Sequence, residues 1–173
     1  MSALLLACLG LYLASSLAAP LLRRHPSLAR ELPSLGCGVA ALVGFVPVAS
    51  VLFGGGGVDL QVPWGLPLGT FHLRLDLLSA WFAVPVLGVS FLAALYGRGY
   101  LRGPQAPSLT DGFFFPLLAG GMLFVLLAWD GLLFLLAWEI MSLSAFFLVL
   151  SHHPDRGARR AGWVYLAATH LGT

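Results

Sequence analysis

The chain has 173 residues, 59% of them hydrophobic and 9% charged, with a mean hydropathy of +0.92 and a formal net charge of +2. A water-soluble domain carries about a quarter of its residues as charges. Here there is too little polar surface to face water, so the apolar surface must face lipid, and a soluble domain or a nucleic-acid-binding module is excluded.

Six apolar stretches are separated by polar or Gly/Pro breaks, at 3–22, 35–53, 77–96, 113–129, 131–151 and an incomplete 161–173. A helix rises ~1.5 Å per residue and the hydrocarbon core is ~30 Å thick, so about twenty residues cross it. The expected fold is an all-α polytopic membrane protein of about six transmembrane helices, the last incomplete, forming a single membrane region. The first stretch resembles a signal peptide only superficially. No basic residue precedes it, whereas Arg23 and Arg24 follow it, the reverse of a secretory signal. It reads as a retained helix.

The second stretch is followed by Gly54–Gly57 and then by two runs of period-two alternation. Val58, Leu60 and Val62 alternate with Asp59 and Gln61, and Phe71, Leu73 and Leu75 alternate with His72, Arg74 and Asp76. A turn rich in Pro63, Gly65, Pro67 and Gly69 lies between them. This pattern predicts a short β-hairpin on the outer surface, with Trp64 at the membrane interface. Pro47 and Pro85 fall inside the second and third spans, where each removes a backbone donor and is expected to bend its helix.

Orientation follows from the basic residues, all nine of which are arginine. Arg23, Arg24 and Arg30 follow span one, Arg98 and Arg102 follow span three, and Arg156, Arg159 and Arg160 follow span five. Only Arg74 follows span two. The positive-inside rule puts the eight on the cytoplasmic side of a bacterial inner membrane and the N-terminus outside.

Chemistry is scarce. Glu139 lies inside span five, nine residues after Asp130, which is ~13 Å of helix and near mid-depth. An ionisable group there costs about 2.5–3.5 kcal/mol even on insertion scales, so it should face protein or trapped water. A carboxyl able to exchange a proton at that depth suits a proton relay. The alternative is a neutral Glu whose hydrogen bond holds two helices together. Ser142, at i+3, is placed to hold a water beside it. His170 in span six lies ten residues after Arg160, again near mid-depth, with Thr169 adjacent and Thr173 one turn on. Imidazole takes a proton on one nitrogen and releases one from the other near neutral pH, so Glu139 and His170 form a plausible relay pair across consecutive helices. A neutral hydrogen-bonded imidazole is the alternative.

The remaining polar residues carry less. His152, His153 and Asp155 lack a further ligand at helical spacing and read as a solvated loop. Asp76, Asp111 and Asp130 flank spans as helix caps. Cys8 and Cys37 are too few for an iron–sulfur cluster and read as packing residues. No cofactor is expected in this chain.

At span five the sequence resembles a known family. The run LLFLLAWEIMSLSAFFLVLS at 132–151 resembles the antiporter-like, proton-conducting subunits of respiratory complex I, multisubunit cation/proton antiporters and membrane-bound hydrogenases. RRAGWVYLAATHLGT at 159–173 looks most like the hydrogenase-4 component B branch, and FHLRLDLLSAWF at 71–82 resembles the family's segment entering its third helix. The resemblance covers roughly residues 60–173. It implies a proton-translocating subunit without catalysis of its own, with redox centres in partner subunits. It places Glu139 on the family's mid-membrane glutamate, matches His170 to the hydrogenase-type branch where complex I relatives more often have an arginine, and puts Thr173 where those relatives tend to carry an Asp; the expected proton pathway is Glu139, Ser142, His170 and Thr173. The family pairs that glutamate with a lysine on a later broken helix, and this chain has no lysine. The resemblance thus implies an N-terminal fragment of a family whose members have about fourteen helices, with the isolated piece inactive in transport. A structural membrane anchor without an ion pathway is the other reading.

Overall fold

The computed structural model describes residues 1–63, 70–100, 108–151 and 156–171, with backbone alone at 98–100, 156, 158 and 159. Helices α1 (Ser2–Leu21), α2 (Pro26–Gly54), α3 (Leu77–Tyr100), α4 (Leu109–Leu127), α5 (Gly131–Leu150) and α6 (Arg156–Leu171) are joined by strands β1 (Val58–Val62) and β2 (Phe71–Leu75) between α2 and α3. Among the described residues, α1 to α5 are long and apolar enough to cross a membrane. The expected all-α polytopic architecture with a small hairpin is what forms.

Local chemistry sets the ends of these helices. Pro26 occupies the first turn of α2, where its missing N–H has no helical partner to lose. The helix therefore starts nine residues earlier than apolarity alone predicts, carrying Arg30 and Glu31 beyond the apolar run. It ends at Gly55, whose φ of 70° closes a left-handed cap that a side chain would strain. The first turn of α4 is held by a capping box: Ser108 accepts from the Asp111 N–H, and the Asp111 carboxylate accepts from the Ser108 N–H at 2.8 Å. That box starts α4 four residues before the predicted 113. α4 stops at Leu127 rather than at 129 because Ala128 turns extended and bridges Leu73 of β2. Asp130 caps α5, accepting from the N–H groups of Leu132 and Leu133. The expectation that these aspartates cap helices holds at all three positions, since Asp76 Oδ1 accepts from Ser79 N at 2.8 Å at the start of α3.

The hairpin pairs antiparallel from Val58↔Leu75 to Val62↔Phe71. Its inward-facing Leu73 and Leu75 are buried in the same core as the helices. β2 is also tied to the α4–α5 turn, where Trp129 N donates to His72 O at 3.0 Å, Thr70 N donates to Asp130 Oδ2 at 3.3 Å, and the Arg74 guanidinium lies 4.5 Å from the Trp129 ring.

α2 packs against α1, α3 and α4, while α5 packs on α4 and α6 on α5. Small residues let the helices approach closely. At Gly44 an added Cβ would meet Cys8 Sγ and Leu87 Cδ2, each at 2.9 Å, so α1, α2 and α3 converge there. Gly121 likewise brings α4 against Met141 of α5. Cys8 and Cys37 are fully buried packing residues, and the Cys8 thiol donates to Ala40 O at 3.1 Å.

Candidate functional site

Glu139 lies near the middle of α5. Phe146 and Leu150 follow it at i+7 and i+11, which puts all three along one side of the helix. That side receives α6. Gly162 approaches Leu150 and Phe146 so closely that an added Cβ would sit 3.0 Å from Leu150 Cδ2. The Phe146 and Trp163 rings meet edge to face at 5.8 Å. The two helices run antiparallel from this contact, so the residue level with Glu139 on α6 is His170.

The side chains meet: His170 Nε2 lies 3.4 Å from Glu139 Oε2. On its other edge the ring faces a carbonyl, with His170 Nδ1 3.0 Å from Leu166 O. A carbonyl oxygen only accepts, so Nδ1 carries the hydrogen. Nε2 is then the nitrogen that faces the carboxyl. At 3.4 Å the gap is longer than a charge-assisted hydrogen bond, typically ~2.7–2.9 Å, and so leaves room for the pair to open.

The pair is only half covered, with side-chain exposures of 40% for Glu139 and 47% for His170. At this depth in a membrane the exposed part must meet protein or water. Thr169 turns its hydroxyl to the carbonyls of Tyr165 and Leu166 and lies 3.5 Å from His170 Nδ1. Ser142 is buried, and its hydroxyl donates to the main-chain carbonyl of Glu139 at 3.2 Å, so it contacts the backbone at this residue. Thr173 lies outside the described residues, as do Trp64, His152, His153 and Asp155. Among the described residues no cluster of three His, Cys, Asp or Glu side chains suits a metal ion.

Two polar features lie outside the sequence reading. On the hairpin, His72 Nε2 meets Asp59 Oδ2 at 3.0 Å, diagonally across the strands, a pairing that the β1–β2 register would have shown. In the core, the Tyr12 and Ser16 hydroxyls, like the Trp138 indole N–H beside Glu139, are buried without a close hydrogen-bond partner among the described residues, although Ser90 acts on the Tyr12 hydroxyl. The one signal of Tyr12 and Ser16 in the sequence is an i,i+4 polar pair within an apolar helix.

No curated protein matches the chain. Residues 64–108, about a quarter of the chain, match the family model described as NADH-Ubiquinone oxidoreductase (complex I), chain 5 N-terminus. The matched stretch takes in β2 and α3, which sets the protein down as a multi-pass membrane chain similar, over that stretch, to the antiporter-like family of complex I.

Proposed function

We propose that this chain is part of a proton-translocating membrane subunit of a redox-driven complex, with Glu139 and His170 as its proton-exchanging pair. The observation that carries the reading is the 3.4 Å approach of a carboxyl near the middle of α5 and an imidazole nitrogen in the last turn of α6. A proton relay needs groups that take up and release protons, and a carboxyl facing an imidazole nitrogen supplies two of them. The match to complex I chain 5 over residues 64–108 supports the same reading from a part of the chain remote from the pair. The sequence around 159–173 favours a hydrogenase-4 component B type of complex. Electrons would then pass through partner subunits carrying the redox centres, and Ser142 and Thr173 would flank the proton path. The arginine distribution favours a bacterial inner membrane with the N-terminus outside. The half-exposed face of the pair is where further helices of the assembled complex would cover it.

The same contact suits a second reading, in which Glu139 and His170 merely hold α5 to α6. One substitution separates the two. In the assembled complex in proteoliposomes, Glu139→Gln keeps the size and a hydrogen-bonding amide but cannot exchange a proton. The expected outcome is loss of proton translocation at normal subunit yield. Translocation at the wild-type rate per assembled complex, with a lowered yield, would leave only the structural role.

A further inference from the structure

Far from the α5–α6 pair, the solvent-facing side of the hairpin carries a second group of charges. Asp59, Gln61, His72 and Arg74 share that side, because Val58, Leu60, Leu73 and Leu75 alternate with them and pack toward the helices. The register sets Asp59 directly opposite Arg74, with His72 on the diagonal. A carboxylate and a guanidinium facing each other across two strands ordinarily pair. Among the described residues no ion pair joins these two. His72 Nε2 takes the carboxylate instead, 3.0 Å from Asp59 Oδ2 and 3.2 Å from Oδ1. The Arg74 guanidinium lies 4.5 Å from the centre of the Trp129 ring.

Two basic side chains thus border one carboxylate, and pH treats them differently. Imidazole ordinarily changes charge between about pH 5 and 8, whereas guanidinium keeps its charge throughout. While the imidazole is protonated, its bond to Asp59 is charge-assisted and Arg74 is left to the ring. Once the imidazole is neutral, it offers Asp59 an uncharged hydrogen bond at most, and Arg74 is the full positive charge opposite the carboxylate. An exposed ion pair and an exposed cation–π contact are similar in size, so the loss of one charge suffices to tip the choice. The Asp59 side chain is 55% exposed and has room to turn, whereas His72 is 19% exposed and sits with its ring edge toward Trp129.

The other charged groups at this end are committed elsewhere. Asp76 accepts from Ser79 N and feels the charge of Arg74. Asp130 accepts from the N–H groups of Thr70, Leu132 and Leu133. The Met1 amino group begins α1, which packs on β1, and makes no ion pair among the described residues.

We propose that the hairpin is a pH-sensitive latch, in which His72 holds Asp59 in acid and Arg74 takes it over above the imidazole range, leaving Trp129 as it does so. Trp129 N donates to His72 O, and the next residue, Asp130, caps α5. The contact that opens is therefore one of the ties between the hairpin and the start of α5. The latch does not depend on a proton-exchanging role for Glu139.

The test is fluorine NMR of the full chain in detergent, labelled with fluorotryptophan, with the Trp129 signal assigned by its loss in Trp129→Phe. The expected result is a one-proton transition of that signal between about pH 5 and 8. Three exposed or partly exposed substitutions each remove one part. His72→Gln keeps an amide donor that does not titrate, Asp59→Asn removes the anion that Arg74 moves to, and Arg74→Gln removes the cation that moves. The transition is expected to fall below half its amplitude in all three. Retention of more than half in Asp59→Asn or Arg74→Gln would mean that the imidazole acts on the neighbouring ring directly. Retention in His72→Gln would mean that another group titrates. Either result overturns the proposal, as does a wild-type signal that stays still across the range.

Discussion

Asp76 shows how one carboxylate serves a helix and how pH exposes it. The Ser79 amide donates to Asp76 Oδ1 at 2.8 Å, and this bond, aided by Arg74, holds the carboxyl below its ordinary range. A lowered folded-state value means that the unfolded chain takes up the proton first as pH falls. The contribution is therefore complete above the unfolded carboxylate value of about 4 and disappears as pH drops through the lower folded value. Asp76→Asn retains a capping oxygen but no titrating charge. Its expected effect is a thermal midpoint below wild type at pH 7 and a shallower decline below about pH 4, so that the two converge in acid, checked by melts across that range. The capping aspartates were readable from sequence because each precedes an apolar run. Glu139 was readable because an acid in an apolar run is rare. Tyr12 was not, because tyrosine is at home both in cores and at interfaces, and only burial tells an orphaned hydroxyl from a satisfied one.

The helices are positioned by glycine as much as by apolar bulk. Gly44 faces Cys8 and Leu87, and both of those side chains are 0% exposed, so neither can swing aside. Gly44→Val forces α1 and α3 away from α2. Overpacking of this kind costs about 1–3 kcal/mol, against about 0.5–1 kcal/mol regained because a side chain disfavours the unfolded chain. A net loss is expected, seen as a lower unfolding midpoint in detergent. Gly10→Ala is the control, since a Cβ there meets nothing within 4 Å, and it should leave the midpoint unchanged or slightly raised. Span boundaries were the least readable feature. The early start of α2 came from a proline that begins a helix as readily as it breaks one, and the early end of α4 came from a strand contact with no local signature. The first five spans, the hairpin and its alternation came through because hydropathy and period two act along the whole segment.

The assembled bundle has a hairpin end and an end carrying Arg23, Arg24 and Arg30. The positive-inside bias predicts opposite labelling of the two. With both native thiols fully buried, background reaction is low. In intact cells an impermeant maleimide should label Gln61→Cys and spare Arg24→Cys until the membrane is opened. The reverse pattern would invert the orientation and move the hairpin to the cytoplasm. The opposition of Glu139 and His170 belongs to this level as well. Their depths could be counted from the ends of two consecutive spans, but their contact depends on Gly162 letting α6 close on α5, which no spacing rule reveals.

The bridge between Leu73 and Ala128 joins segments that leave the ribosome far apart in time. Until α4 and α5 have been threaded into the bilayer, the outer edge of β2 lacks Ala128 and Trp129, and Arg74 has no ring to rest on. The hairpin therefore completes only after the fifth span is inserted. An antibody or protease that distinguishes the open edge from the closed one would report, from the hairpin alone, whether membrane insertion has reached the helix that carries Glu139.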